Sequence, residues 1–304
     1  MNKFIKKTLF FCAPLLIFML IMELLLRNIP NDYSYKKNYL DQHSNEIEIL
    51  LLGSSHAYRA INPEFIHSNS FNAAHIAQSI DYDIQILKKY ANQTNKLKFI
   101  VIPIDYFTFY NRLETGVESW RIKNYNIYYG FNRSYNCKDN LEILNGKLLE
   151  NSKRIVKFYW RKKSDISCKP LGWGAQKQSQ DDKNLLLSGK AAAQRHAKKD
   201  KSFFYQNVAI VNEIIALAKA KNAKVIFYTS PAYKTYTSQL NKEQLQKTYT
   251  TIRKIAHSNP NVRYYDFLSD PSFIKEDFYD ADHLNEIGAE KFSKKMDSII
   301  INLK

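Results

Sequence analysis

Cysteine, glycine and proline are scarce in this chain, which has 3 Cys, 8 Gly and 8 Pro among 304 residues. Three cysteines cannot form a disulfide scaffold, and none lies in a Cys-x-x-Cys pair or near a histidine at metal-ligand spacing, so we expect no bound metal. So little glycine and proline excludes collagen-like and linker-dominated chains, and 14% aromatic residues exclude disorder. What remains is a globular protein, long enough for one large α/β domain.

A long apolar run occurs near the N-terminus, where Lys3, Lys6 and Lys7 precede residues 9–26, which are apolar except for Glu23. Eighteen helical residues cover about 27 Å, close to the thickness of a bilayer's hydrocarbon core. A cleaved signal peptide is the alternative, but no small-x-small cleavage site follows. Because the lysines lie on the N-terminal side, the positive-inside rule predicts a cytoplasmic N-terminus and an exported remainder. We expect residues 1–27 to be a cytoplasmic start and single-pass signal anchor in the cytoplasmic membrane, with a periplasmic or extracellular domain.

Acidic residues are in the minority: the chain has 29 Asp+Glu and 45 Lys+Arg, which gives a formal net charge of +16. Nucleic-acid binding is the function class that such a charge suggests. We expect no nucleic-acid partner, because the anchor places the charge outside the cytoplasm and no nucleic-acid motif is recognisable. Export also leaves two states open for Cys137 and Cys168, a disulfide or two free thiols.

Short apolar runs alternate with helical patterns over most of the exported part, from residue 46 to residue 304. A parallel sheet whose strands are joined by helices produces this alternation, so we predict an α/β fold with three α/β/α layers and a mostly parallel sheet. Polar residues 28–45 are expected to form a stalk. The predicted strands are 46–52, 99–104, 224–228 and 263–267, and the predicted helices are 81–90, 208–221 and 288–303.

Residues 112–204 interrupt the alternation and are predicted to be a basic aromatic insertion. Within 147–201 there are 15 Lys+Arg and 5 Asp+Glu, so most of the chain's net charge lies there. Such a run is either a solvated excursion or a functional lid. The lid alternative implies that Arg161, Lys162 and Lys163 attract an anionic polymer.

Two short motifs, one at each end of the exported part, carry groups for nucleophilic catalysis. Ser55 follows the first predicted strand in a Gly-Ser-Ser turn, and parallel sheets bind ligands at the carboxyl ends of their strands. Asp280 precedes His283 by three residues, a spacing that lets the carboxylate orient the imidazole as a base for a serine. Ser54 is the alternative nucleophile and Asp282 the alternative orienting acid.

Together these motifs resemble the SGNH (GDSL-type) hydrolase superfamily, whose first block supplies a nucleophilic serine and whose last block supplies Asp-x-x-His. The closer resemblance is to a membrane-anchored branch associated with polysaccharide O-acetylation and teichoic-acid D-alanylation. It rests on Gly-Ser-Ser at 53–55, Ile-Asn-Pro at 61–63, Thr-Ser-Pro-Ala-Tyr at 229–233 and residues 277–289. The resemblance implies a catalytic triad of Ser55, His283 and Asp280, and no cofactor.

The resemblance also implies three oxyanion donors, namely the amide of Ser55, a second amide and an asparagine side chain. Ala77 takes the position of a glycine whose amide is the second donor, and Asp105 takes the position of the asparagine. An amide donor survives the change to alanine, but an ionised carboxylate cannot donate. Asp105 is therefore a doubtful oxyanion residue.

Three further residues are predicted to contact substrate. They are Arg59, which either binds an anionic group or pairs with a carboxylate, His75 in the block around Ala77, which either lines the pocket or is structural, and Trp173 among the insertion's aromatics. His56 is expected to be structural, with its side chain directed away from the nucleophile.

The function implied is a membrane-tethered serine enzyme that transfers or hydrolyses O-acyl groups, expected to be acetyl, on an anionic cell-surface glycan. In the transferase version, its partner is a membrane-bound O-acyltransferase. The alternative is a catalytically degenerate SGNH scaffold that binds glycan for that partner.

Overall fold

The computed structural model describes residues 2–176, 182–198 and 200–304. The strands are β1 (Ile49–Leu51), β2 (Ser70–Asn72), β3 (Phe99–Pro103), β4 (Lys224–Thr229), β5 (Val262–Asp266), β6 (Phe278–Asp280) and β7 (His283–Leu284). The α-helices are α1 (Asn2–Arg27), α2 (Asp32–His43), α3 (Ser55–Ala60), α4 (Ile80–Tyr90), α5 (Ile122–Asn124), α6 (Leu148–Ile155), α7 (Asp182–His196), α8 (Phe204–Ala220), α9 (Lys234–Thr237), α10 (Lys242–Ser258) and α11 (Glu286–Leu303). Two π-helical turns cover Tyr125–Tyr129 and Val156–Trp160, and short 3₁₀ turns cover Pro63–Phe65, Thr108–Tyr110, Leu113–Thr115, Ser119–Arg121, Cys137–Asp139, Ile143–Asn145 and Lys275–Asp277.

The chain divides into two compact units. Unit 1 comprises Met1–Lys37 and Val117–Ser167, and unit 2 comprises Asn38–Gly116 and Cys168–Lys304. This division differs from the boundaries drawn from the sequence. Of the expected insertion 112–204, residues 117–167 belong to unit 1 and the other described residues belong to unit 2; its residues 177–181 and 199 lie outside the described residues. Much of the expected stalk is helix α2, because Tyr33 and Leu40 on that helix are buried.

Unit 2 is built on a five-stranded parallel sheet in the order β2-β1-β3-β4-β5. The apolar runs of its inner strands are buried on both faces, as expected for a parallel sheet covered by helices. The sheet confirms the predicted α/β class with a mostly parallel sheet. A two-stranded antiparallel ribbon of β6 and β7 follows, and it carries the second motif of the sequence.

Helices cover both faces of the sheet in unit 2. On one face, Leu51 of β1, Val101 of β3 and Ile226 of β4 share an apolar core with Phe292 and Met296 of α11. Helix α8 packs against β4 and α4, and α10 packs against β5. These layers support the carboxyl ends of β1 and β3, where the next residues in the chain form the candidate site.

Unit 1 contains α1, a helix that is long and apolar enough to cross a membrane. The acidic residue in its apolar run is Glu23, whose carboxylate accepts the backbone amides of Glu142 and Ile143 at 3.1 and 2.9 Å. Glu142 is itself buried, with Lys123 Nζ at 2.5 Å and an Arg154 nitrogen at 3.0 Å. The last turns of α1 are therefore tied to residues 140–160 by buried polar contacts.

In the described part of the chain, Cys12, Cys137 and Cys168 form no disulfide. Of the two states left open by the sequence, the structure has the unbridged one.

Candidate active site

Ser55 lies at the start of α3, immediately after β1 and a sharp turn. Gly53 in that turn has φ +120°, and a Cβ there would come within 2.5 Å of the Pro103 ring, so only glycine fits. Ser54 caps α3, its hydroxyl accepting the amide of His56 at 3.3 Å. The turn leaves Ser55 partly exposed and Ser54 buried.

The two motifs predicted from the sequence meet at this turn. His283 Nε2 lies 2.8 Å from Ser55 Oγ, and His283 Nδ1 lies 2.9 and 3.1 Å from the two carboxylate oxygens of Asp280. Asp282 approaches the same Nδ1 atom at 3.5 Å, which makes Asp280 the nearer acid. The ribbon of β6 and β7 creates this contact, because its tight turn folds Asp280 back beside His283. Ser55, His283 and Asp280 thus form one hydrogen-bonded chain, the arrangement that a nucleophile, its base and an orienting acid require.

Two carboxylates act on the His283 imidazole. Burial alone would lower its pKa, but Asp282 and Asp280 outweigh burial and raise the pKa above 6.5. Burial opposes ionisation of Asp282, yet His283 and His56 hold the pKa of that carboxyl well below its ordinary value. The site therefore favours a protonated His283, the state that follows removal of a serine proton.

Asp105 has a different role from the one expected of the asparagine it replaces. One carboxylate oxygen lies 2.8 Å from His56 Nδ1, and the other accepts the Ser230 amide at 2.8 Å. A carboxylate so engaged offers no hydrogen to an oxyanion, so the expectation of an oxyanion contact from Asp105 is not supported. Burial opposes a charge on His56, but Asp105 and Asp282 raise its pKa to about 10. Asp105 therefore stabilises an imidazolium next to the nucleophile.

His56 lies closer to the catalytic groups than the sequence suggested. Its ring is 5.0 Å from that of His283, edge to face, and its Nε2 is 3.5 Å from Asp282. The two titratable residues His56 and Asp105 follow the neighbouring strands β1 and β3, and that placement in the sequence could have identified them as a pair.

The Ala77 amide is the second expected oxyanion donor. Ala77 has φ +60°, a left-handed conformation that favours glycine, which explains why a glycine would suit this position. Its loop is tied to the nucleophile turn, because the His75 amide donates to the Gly53 carbonyl at 3.2 Å. His75, predicted to contact substrate, has a buried side chain.

Asp83 on α4 links the nucleophile turn to the Ala77 loop. Its Oδ1 atom accepts the Gly53 amide at 2.8 Å and the Gln78 side-chain amide at 2.6 Å. Burial raises the pKa of Asp83 to about 7. No sequence motif identified this carboxylate, since an acidic residue in the first turn of a helix is common.

Arg59 lies one helical turn after Ser55 on α3, and hence on the same side of the helix. Its guanidinium is 5.6 Å from the Tyr279 ring, and its buried Nε has no hydrogen-bond partner in the described part of the chain. Trp173, also predicted to contact substrate, is buried, and its indole nitrogen donates to the Arg59 carbonyl at 2.7 Å. Trp173 thus stabilises α3 through the backbone of Arg59.

Helix α7 brings two residues of the expected insertion to the site. Arg195 reaches Asp282 at 3.3 Å, and the His196 ring packs 4.1 Å from Phe107 and 6.0 Å from His56. Burial lowers the pKa of His196 well below 6.5. No motif identifies these two residues, because both are distant in sequence from either block.

One group of side chains has the donor atoms for a metal ion. His56, Asp282 and His283 each offer a ligand atom within 4.8 Å of the others. The same atoms make the charged contacts described above.

A family model described as "Protein of unknown function (DUF1574)" matches residues 138–303. A search among curated proteins finds no match to the chain. Among solved structures, the chain is similar to a candidate platelet activating factor from Streptococcus pneumonia, with 10% identity, TM-score 0.45, and coverage of 95% of this chain and 97% of that one. It is similar to a candidate acylhydrolase from Bacteroides fragilis, with 12% identity, TM-score 0.39 and coverage of 90% and 100%. It is also similar to a GDSL-like lipase from Bacteroides thetaiotaomicron, with 11% identity, TM-score 0.37 and coverage of 88% and 99%.

Proposed function

The chain belongs to the family described as protein of unknown function (DUF1574), and we propose that it is an exported, membrane-tethered serine enzyme of SGNH type. Its reaction is transfer or hydrolysis of O-acyl groups, expected to be acetyl, on a cell-surface polysaccharide. The observation that carries the proposal is the hydrogen-bonded chain from Ser55 Oγ through His283 to Asp280.

The acylation step follows from these contacts. Ser55 Oγ attacks the ester carbonyl while His283 Nε2 takes the hydroxyl proton, and Asp280 stabilises the imidazolium that forms. The amides of Ser55 and Ala77 donate to the developing oxyanion. The tetrahedral intermediate then collapses, the alcohol leaves with the proton from His283, and an acyl-Ser55 enzyme remains.

The second half-reaction determines the product. His283 takes a proton from water in the esterase version or from a sugar hydroxyl in the transferase version. That oxygen attacks the acyl carbon and Ser55 recovers its proton. In the transferase version, a membrane-bound O-acyltransferase is the expected partner that supplies acyl groups across the membrane.

Arg59 supports an anionic substrate. A guanidinium on the nucleophile's side of α3, with no carboxylate paired to it in the described part of the chain, can bind a carboxylate or phosphate on the glycan. For Arg59→Gln we expect a raised KM for an anionic ester and an unchanged KM for a neutral ester of similar size. Equal effects on both esters would contradict this role.

A glycan-binding scaffold without catalysis is the second candidate function. The sequence feature that supports it is Asp105, which takes the position of the asparagine that donates to the oxyanion in the SGNH superfamily. The pairing of Asp105 with His56 weakens that support, because it gives Asp105 another role. The two amides proposed as oxyanion donors do not depend on Asp105. Loss of one donor costs about 2.7–4 kcal/mol in other enzymes, which slows a site without abolishing it.

Labelling with a fluorophosphonate probe separates the two functions. We expect the purified full-length protein to be labelled covalently, and Ser55→Ala and His283→Ala to lose both labelling and ester turnover. Ser54→Ala is the matched control and should retain labelling, since Ser54 caps α3. Absence of labelling in the wild type would favour the scaffold, whereas labelling that persists in Ser55→Ala would show that another residue is the nucleophile.

A further inference from the structure

Unit 1 exposes an apolar helix face. Leu148, Leu149, Val156 and Trp160 are 56%, 65%, 50% and 86% exposed. At about 100° per residue, these positions fall within roughly 120° of the helical circumference of α6 and the π-helical turn that continues it. Helices of water-soluble proteins turn such a face inward, so this face indicates an apolar partner.

Basic residues border the apolar face. Lys153 lies beside it on α6, where it pairs with Glu150 at 2.8 Å, and exposed Arg161, Lys162 and Lys163 follow the π-helical turn. Arg154, on the opposite side of α6, is held by ion pairs within unit 1. The exposed side therefore combines apolar residues with the positive charge of Arg161, Lys162 and Lys163.

The face lies beside the end of α1, within the same unit. The Tyr159 hydroxyl donates to the Leu25 carbonyl at 3.1 Å. Apolar side chains of α1 are exposed up to Leu24, whereas Met22 and Leu26 on its other side are buried. The rest of unit 1 therefore begins to cover α1 at residues 22–26. This is the level at which a membrane-spanning helix leaves the hydrocarbon core.

We propose that this face of residues 148–160 lies in the interface of the bilayer that α1 crosses, with Arg161, Lys162 and Lys163 against anionic lipid headgroups. Trp160 and Tyr159 then occupy the interfacial level where such aromatic side chains are enriched. Apolar residues on one side and cations at the border are the pattern of helices that lie in membrane interfaces. The inference rests on α1 as a membrane anchor, which is part of the proposed function, and adds a second membrane contact.

The second contact has a mechanical consequence. A single spanning helix leaves the attached unit free to rotate about its axis, whereas a helix in the interface holds unit 1 in one orientation toward the lipid. An anionic glycan, the partner that the sequence suggested for these cations, does not account for exposed Leu148, Leu149 and Val156, since aliphatic side chains gain little from contact with a charged polymer.

Tryptophan quenching in vesicles tests the proposal. The full-length protein is reconstituted in phosphatidylcholine–phosphatidylglycerol vesicles with or without brominated acyl chains. We expect brominated lipid to quench the wild type and Trp160→Phe to remove most of the quenchable emission. The matched control is Trp120→Phe, because Trp120 is 45% exposed in the same unit and its ring stacks with Arg121. Equal quenching in wild type and Trp160→Phe would overturn the proposal.

A second variant tests the apolar face itself. Leu149→Asp combined with Val156→Asp changes two exposed side chains, so the fold should persist, and we expect weaker quenching of Trp160 while the protein still resists alkaline carbonate. Unchanged quenching contradicts the proposal. If Trp160 emission responds to polygalacturonate but not to brominated lipid, the face binds polymer and the proposal fails.

The carbonate readout separates this inference from the proposed function. Extraction of the wild type by carbonate would contradict the membrane tether of the proposed function and, with it, the interfacial contact, but not the serine chemistry at Ser55. Resistance to carbonate without quenching of Trp160 would remove the interfacial contact alone.

Discussion

His283 lies between two carboxylates, and this arrangement sets the pH range in which it can act as a base. Asp282 and Asp280 raise its pKa, while His56 and His196 are the other titratable rings nearby. A base must be unprotonated to take the serine proton, so kcat/KM for an uncharged ester should rise with pH through a pKa above 6.5.

At the residue scale, Asp282→Asn should move this acid limb to lower pH. Removing the carboxylate takes away an attraction for the protonated form of His283 and leaves the charge on His56 less compensated, and both effects lower the pKa of His283. The measurement is the pH profile of kcat/KM from about pH 5 to about pH 8, the range in which proteins tend to be most stable. Asp266→Asn, on β5, is the control and should leave the profile unchanged. A shift to higher pH would contradict the assignment.

At the element scale, Asp83 joins three pieces of the site: α4, the turn after β1 and the Ala77 loop. Both Gly53 and Gln78 donate to the same carboxylate oxygen, so Asp83 connects the turn that holds Ser55 to the loop that holds Ala77. If Ala77 is the second oxyanion donor, as proposed, its distance from Ser55 depends on this carboxylate.

We expect Asp83→Leu to lower the free energy of unfolding by about 1–3 kcal/mol, because the Gly53 amide is left buried without an acceptor. Asp83→Asn keeps an acceptor oxygen and should be tolerated.

The raised pKa of Asp83 also fixes the direction in which the stability of the folded protein changes with pH. The folded wild type holds this proton up to about pH 7 and the unfolded chain only to about 3.8, so wild-type stability relative to Asp83→Asn should fall as pH rises from about 4 to 7.

Denaturant unfolding of the full chain in detergent, at pH 5 and pH 7, measures both effects, and the labelling rate of Ser55 reports the geometry. Similar stability of the leucine and asparagine variants would show that Asp83 does not hold the turn.

At the scale of the whole molecule, the decisive property is the side of the membrane on which unit 2 lies. A reporter that is active only outside the cytoplasm, fused after Lys304, should be active, because the positive-inside rule applied to Lys3, Lys6 and Lys7 predicts a cytoplasmic N-terminus. Alkaline carbonate should not extract the protein. Replacing the three lysines by glutamine should reduce export of the reporter, and a reporter active only in the cytoplasm would show the opposite topology.

Much of unit 2 was predictable from local patterns. The inner strands are continuous apolar runs, and β3, β4, α4 and α8 lie within a few residues of their predicted bounds. The strand β2 was missed because Ser-Phe-Asn carries little apolar pattern and becomes a strand only by pairing with β1. Helix α2 was missed for a related reason. Its sequence is largely polar and carries little helical pattern, and burial of the Tyr33 and Leu40 side chains stabilises it.

The sequence by itself determined the apolar helix α1, the α/β class and the two motifs that hold Ser55, Asp280 and His283. Each of these is encoded by neighbours along the chain: a run of apolar residues, an alternation of strand and helix patterns, or a fixed spacing in one loop. Only the tertiary structure decided which distant groups meet. The pairing of His56 with Asp105, the link through Asp83 and the exposed face at Trp160 depend on strand pairing and packing across long separations, which no local pattern specifies.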